Sequence, residues 1–183
     1  MPDRDRTSEP PPGVWRGWFY RFRGVTVREP RVPFGTIVIN AIGAGLAILA
    51  VGVIGVIAEE PLLIAPLGAT CLLLFAVSDG VMSQPRNVVV GHLIAASLGV
   101  GLGHLLGPGW MAATVALAAA VFLMLLVYAI HAPAGSTAIV AAVQPHDWLF
   151  IGVPVLAGVG AVLLVALVFN NLVPGRRYPV RWF

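Results

Sequence analysis

Between Val32 and Val173, a stretch of 142 residues, the chain carries five charged side chains: Glu59, Glu60, Asp79, Arg86 and Asp147. A domain folded in water needs a polar surface, and soluble domains carry about 25% charged residues to supply one. Here 10% of the 183 residues are charged and 58% are hydrophobic, and most of the charge is crowded into the two ends. This excludes a soluble enzyme, a nucleic-acid-binding domain and a disordered chain. It leaves an integral membrane protein whose main partner is the lipid bilayer. The net charge of +3 comes from arginines flanking the apolar region: Arg4, Arg6, Arg16, Arg21, Arg23, Arg28 and Arg31 before it, and Arg176, Arg177 and Arg181 after it. By the positive-inside rule both termini lie in the cytoplasm, which suits the inner membrane of a bacterium.

The chain divides by composition. Residues 1–31 form a polar arm in which residues 14–24 read as an amphipathic helix lying in the headgroup region, with Trp15, Trp18, Phe19 and Phe22 on one face. The competing reading is an aromatic-belt anchor before the first span. No signal peptide is expected, because the first apolar run begins near residue 33 and is too long for a signal-peptide core. Residues 32–173 form the transmembrane domain, and residues 174–183 a basic cytoplasmic tail. Four apolar segments are long enough to cross a hydrocarbon core of about 30 Å. They run from Phe34 to Ala58, Val88 to Leu106, Met111 to Ile130 and Trp148 to Val173. Glycines recur along them, which lets helix backbones approach closely and is compatible with a homo-oligomer.

Two further apolar segments, Pro61–Val77 and Pro133–Val143, are too short to span as simple helices, and they resemble each other. The first contains Ala65-Pro66-Leu67-Gly68-Ala69-Thr70 and the second Ala132-Pro133-Ala134-Gly135-Ser136-Thr137, at an offset of 67 residues. Both run on to Gln-Pro, at Gln84-Pro85 and Gln144-Pro145. The expected fold is therefore an all-α polytopic membrane protein built from two units of span, short Pro/Gly-broken segment and span. The halves are about 34–106 and 111–173, in a 3+3 inverted repeat, with four spans and two re-entrant segments as the alternative. Arg86 falls inside under the first scheme and outside under the second, so the positive-inside rule favours the first. Paired Pro/Gly-interrupted segments at matching places in two halves point to a transport site. The reading at each motif is a broken helix whose restart is capped by Thr70, or by Ser136 or Thr137, with freed N–H groups facing an anion.

At these motifs the sequence resembles the HPP family of bacterial and plant integral membrane proteins. The resemblance rests on the A-P-L-G-A-T motif at residues 65–70, on Gln84-Pro85-Arg86-Asn87 running into Leu93, and on His131 to Ala138. The family's His-Pro-Pro-Ala-Gly reads His131-Ala132-Pro133-Ala134-Gly135 here, with alanine replacing the first proline. Membership implies a helical membrane domain usually described with about four or five spans, and some plastid and cyanobacterial relatives are associated with nitrite transport.

The functional expectation is a channel or secondary transporter for a small solute, with a monovalent anion such as nitrite in first place. A non-transporting membrane scaffold or sensor is the alternative. The candidate pathway comprises Pro66, Gly68, Ala69, Thr70, Arg86, Asn87, His92, His131, Pro133, Gly135, Ser136 and Thr137. Arg86 reads as a vestibule cation that attracts an anion, as a topological anchor, or as the partner of Asp79 in a structural ion pair. His92 is an ionisable residue inside a span and so a site candidate. His104 and His146 read as interfacial. No cofactor, metal or catalytic residue is expected: the four histidines and Cys71 lack ligand spacing, and there is no phosphate-binding loop.

Overall fold

The computed structural model describes Phe22 and residues 31–182; the amphipathic helix read over residues 14–24 lies outside the described residues, Phe22 apart. The first helix among the described residues, α1, Phe34–Ala58, matches the first apolar segment. It stops where Glu59 turns left-handed (φ 56°) and the Glu60 N–H closes back on the Gly55 carbonyl at 3.0 Å. The short segments become α2, Ala65–Ala76, and α5, Ala132–Val143, each of 12 residues. In both, proline occupies the first turn, where a missing N–H has no helical partner to lose. Pro66 and Pro133 thus start helices rather than break them. The residues ahead, Ile64 and His131, are extended. This corrects the expected capping: helix begins at Ala65 and Ala132, upstream of Thr70, Ser136 and Thr137, and neither N-terminus has a side-chain cap.

Between them lie α3, Pro85–Leu106, preceded by the turn Val81–Ser83, and α4, Trp110–Leu126. The last apolar segment is not one helix from Trp148 to Val173. A wide turn at Ile151–Leu156, with Val153 extended (φ −132°, ψ 117°), precedes α6, Ala157–Leu172. Pro154 is the physical reason, since the residue before a proline is pushed out of helical geometry and the ring supplies no N–H. Phe34–Ala58, Pro85–Leu106 and Ile151–Leu172 are long and apolar enough to cross a membrane; α2, α4 and α5 are shorter apolar helices.

Hydrogen bonds fix which connections share an end of the bundle. Arg86 and Asn87 bond carbonyls of residues 127–130, His131 bonds Met82 and Tyr178 bonds Ser83. Residues 77–84, 127–131 and the C-terminal segment therefore gather at one end. At the other, His104 bonds the His146 carbonyl, the Gly109 N–H bonds Ala142, and Ile64 packs with Phe150 and Val155. Successive helices consequently alternate in direction, and α5 runs parallel to α3.

The α3, α4 and α5 contact is lined by alanines, among them Ala95, Ala116, Ala120, Ala134 and Ala138. A second core joins α1, α2 and α6 through Val51, Leu67, Leu74, Phe75, Val159 and Val162. The polarity is inverted relative to a water-soluble fold. Phe34, Leu49, Leu72, Phe122, Leu164 and Val168 face outward, while Thr70, Asn87, His92, His131, Thr137 and Asn170 are buried. An apolar exterior around a sparse polar interior is what a hydrocarbon solvent selects.

The C-terminal segment folds back against its end of the bundle. The Tyr178 side chain is buried and its hydroxyl donates to the Ser83 carbonyl at 2.7 Å, while Gln84 Oε1 accepts from the N–H groups of Val180 and Arg181. Arg176 donates to the Phe75 carbonyl and to Asn170 Oδ1 and Asn40 Oδ1, so it ties α1, the end of α2 and α6 together.

Candidate functional site

Thr70 is the sixth residue of α2 and Thr137 the sixth of α5. The fold brings both to one imidazole. Thr70 Oγ1 lies 3.0 Å from His92 Nε2, and Thr137 Oγ1 lies 2.8 Å from His92 Nδ1. His92 projects from α3 about two turns after its start at Pro85. His131, in the extended lead-in to α5, completes the cluster with Nε2 3.0 Å from the same Thr70 oxygen and Nδ1 2.7 Å from the Met82 carbonyl. All four side chains are 0% exposed. The two rings have centroids 5.0 Å apart.

Glycine permits this approach. A Cβ on Gly91 would sit 2.8 Å from His131 Cβ, so α3 and the start of α5 touch there only because residue 91 has no side chain.

The hydrogen-bond directions follow from one fixed point. A carbonyl only accepts, so His131 Nδ1 carries a hydrogen and donates to Met82. In neutral His131, Nε2 is then a lone pair that accepts from the Thr70 hydroxyl. The Thr70 oxygen in turn accepts from His92 Nε2–H, and the bare His92 Nδ1 accepts from the Thr137 hydroxyl. The Thr70 oxygen also lies 3.1 Å from the Pro66 carbonyl, a second acceptor within its reach. Four buried polar side chains are thus satisfied in one continuous row. Each would otherwise cost about 1–3 kcal/mol unpaired.

The other residues read as pathway candidates fall elsewhere. Pro66 and Pro133 are buried in the first turns of their helices. Gly68, Ala69 and Ser136 are exposed on the bundle surface, and Gly135 is packed toward Leu117 of α4. Arg86 donates to the Val127 and Tyr128 carbonyls at 2.9 Å each, capping the end of α4 rather than meeting Asp79. Asn87 donates to the Ile130 carbonyl at 3.0 Å. His104 and His146 lie at the opposite end, with His104 on the His146 carbonyl and edge-on to Trp148. Cys71 is buried in the core. The contributions of Met82 and Gly91 carry no sequence signal of their own, because one acts through its carbonyl and the other through an absent side chain.

Among the described residues no group of three or more histidine, cysteine or acidic side chains could hold a metal ion. The cluster supplies two imidazoles, which can take up or release a proton, and two hydroxyls that donate and accept hydrogen bonds.

The profile of the HPP transmembrane region matches residues 29–179. Two transmembrane proteins of Dictyostelium discoideum are similar: one is 31% identical over 134 residues, covering 69% of this chain and 47% of the relative. The other is 32% identical over 133 residues, covering 68% of this chain and 43% of the relative. The chain thus spans less than half the length of either. No solved structure matches it. With a match running through all six described helices and the histidine–threonine cluster, the chain belongs to the HPP family of integral membrane proteins.

Proposed function

We propose that the protein is a channel or secondary transporter for a small solute, with a monovalent anion such as nitrite as the first candidate. It would sit in a bacterial inner membrane with both termini in the cytoplasm. The observation that carries this reading is the meeting of Thr70 and Thr137, equivalent residues of two sequence motifs, on the single buried ring of His92. Polar side chains buried among membrane helices are expensive, and they are most often found where a solute or proton passes.

Contacts around the cluster support reading the halves as inverted repeats. Gly158 approaches Leu67 on one side, and Gly91 approaches the first turn of α5 at Ala134 on the other. Both partners in the second contact are offset by 67 residues from those in the first, the same offset that relates the motifs. On this reading α2 and α5 are the moving or gating half-helices, and Thr70, His92, His131 and Thr137 are the pathway residues. Arg86 and Asn87 fasten the ends of neighbouring helices. The positive-inside rule and the tail arginines support the cytoplasmic placement of the termini. The solute assignment rests on the family resemblance and on a site rich in donors with no carboxylate in it.

The test is flux into liposomes containing the purified protein, with nitrite, nitrate, formate, bicarbonate and chloride each offered in turn. Nitrite is expected to enter faster than into protein-free vesicles. Thr137→Val is expected to reduce that rate at least tenfold at equal amounts of folded protein. Absence of flux for every anion would sink the transport reading.

A further inference from the structure

We infer that the Thr70–His92–His131–Thr137 cluster is a proton-binding site, which takes up one proton at His131 Nε2 and couples it to the passage of an anion. The coupling half rests on the transport reading above; the proton site stands on the geometry of the cluster alone.

The site turns on one oxygen. A threonine hydroxyl has one hydrogen to give and two lone pairs to receive. Thr70 Oγ1 has three neighbours: the Pro66 carbonyl at 3.1 Å, His92 Nε2 at 3.0 Å and His131 Nε2 at 3.0 Å. The carbonyl can only accept. Two fully paired arrangements follow. In the first, described above, the hydroxyl donates to His131 Nε2 and His131 is neutral. In the second, His131 Nε2 has gained a proton from the aqueous phase and donates to the Thr70 oxygen. The hydroxyl hydrogen then turns to the Pro66 carbonyl. His131 keeps its bond from Nδ1 to Met82, and His92 keeps both its bonds to threonine. The two states differ by one proton and one rotated hydroxyl. Neither leaves a buried donor or acceptor unpaired, and no ring has to move.

What the surroundings lack decides what the charged state requires. Helices α1, α4, α5 and α6 contain no ionisable side chain, and α2 contains only Cys71. On α3, Arg86 is bonded to the carbonyls of Val127 and Tyr128, and His104 lies at the far end beside His146. In the turn before α3, Asp79 is exposed, and the tail presents the Tyr178 hydroxyl to the Ser83 carbonyl. Among the described residues the only titratable group facing His131 is therefore His92, its ring 5.0 Å away. No carboxylate among the described residues balances an imidazolium at this place. A buried charge without a partner is strongly disfavoured. An anion arriving beside the cluster supplies the missing charge, so anion and proton each raise the other's affinity by the same factor. Proton and anion then cross as a neutral pair. On the far side His131 returns its proton to water, the Thr70 hydroxyl turns back, and nothing is oxidised or reduced.

Two measurements test this. The first uses the full-length protein in lipid nanodiscs with 15N-labelled histidine rings, titrated in sodium nitrite and, as control, in sodium gluconate at equal ionic strength. His104→Gln and His146→Gln remove the two histidines outside the cluster. Nitrogen NMR distinguishes a neutral ring, with one bare nitrogen, from an imidazolium with two protonated ones. One buried ring is expected to become imidazolium as pH falls, with its midpoint at least one pH unit higher in nitrite. Both rings staying neutral over the whole pH range in which the protein remains folded, in both salts, would overturn the proton site.

The second measurement follows internal pH and nitrite together in proteoliposomes, with protein-free vesicles subtracted. About one proton per nitrite is expected, retained in Thr70→Ser and lost in Thr70→Val. Nitrite flux without proton movement would overturn the coupling and leave the transport reading intact. If no anion moves at all, the transport reading fails and the nitrogen spectra alone decide the proton site.

Discussion

Gly99 shows at the scale of one residue how closely the backbones meet. A Cβ there would lie 2.5 Å from Ala141 Cβ and 2.7 Å from the Ala138 carbonyl oxygen, so the obstacle is largely the neighbouring helix itself. Gly99→Leu is expected to destabilise the bundle by about 1–3 kcal/mol or more, as overpacking does. Gly160→Ala, with nothing within 4 Å of its added methyl, is expected to be neutral or to stabilise by up to about 1 kcal/mol through helix propensity. Thermal unfolding in detergent compares the two, and equal shifts would refute the packing argument. Residues taken in isolation carry only part of this geometry. Thr70 and Thr137 were visible as a repeated hydroxyl at one register. His92 was visible as a polar ring inside a span. That both threonines bond the same imidazole was not, because nothing local says that α2 and α5 converge on α3. Arg86 was the most conspicuous charge and pointed toward an anion, yet its guanidinium serves the end of α4. A charge in a sequence shows its sign, while the group it meets is set by long-range packing.

At the scale of the element, the short helices were the legible part. Pro133–Val143 falls within one residue of α5, whereas Pro61–Val77 overshoots α2, because the chain ahead of Ala65 is extended and Pro66 opens the helix instead of breaking it. The break in the last segment used the same chemistry, in Gly152-Val153-Pro154, but the long apolar run around it masked the signal. Helix ends are also where Arg86 acts. Its two bonds satisfy carbonyls that the end of α4 leaves without an intrahelical partner. Arg86→Ala is expected to lower stability by about 1–2 kcal/mol, the lower range for a charged donor because these bonds are exposed. Nitrite flux per folded molecule is expected to stay within twofold, since Arg86 touches none of the four clustered side chains. Measuring unfolding and flux on the same preparations separates the roles. A tenfold loss of flux at unchanged stability would return Arg86 to the pathway.

At the scale of the molecule, the decisive quantity is how many times the chain crosses the bilayer, because this decides whether the two motifs enter from opposite faces. Among the described residues α1, α3 and the turn Ile151–Leu156 together with α6 are long enough to cross, which leaves α2, α4 and α5 to be placed. The hydrogen bonds give a relative answer: Asp79 belongs to the end that holds the C-terminal segment, and Asp147 to the end that holds His146 and Gly109. If α2 and α5 carry the chain across, Asp79 faces the cytoplasm with the termini and Asp147 faces outward. If both are re-entrant, an even number of crossings separates the two residues and both face outward. Single cysteines at the two positions, in a Cys71→Ala background, therefore discriminate the schemes by labelling with a membrane-impermeant maleimide in intact cells. Asp147→Cys is expected to label and Asp79→Cys to label only after the membrane is opened. Equal labelling in intact cells would remove the opposed entry of the motifs. The two motifs would then approach the cluster from the same side, and access of His131 to the opposite face would have to come from the spans rather than from α2 and α5. The labelling pattern thus constrains the proton mechanism before any flux is measured.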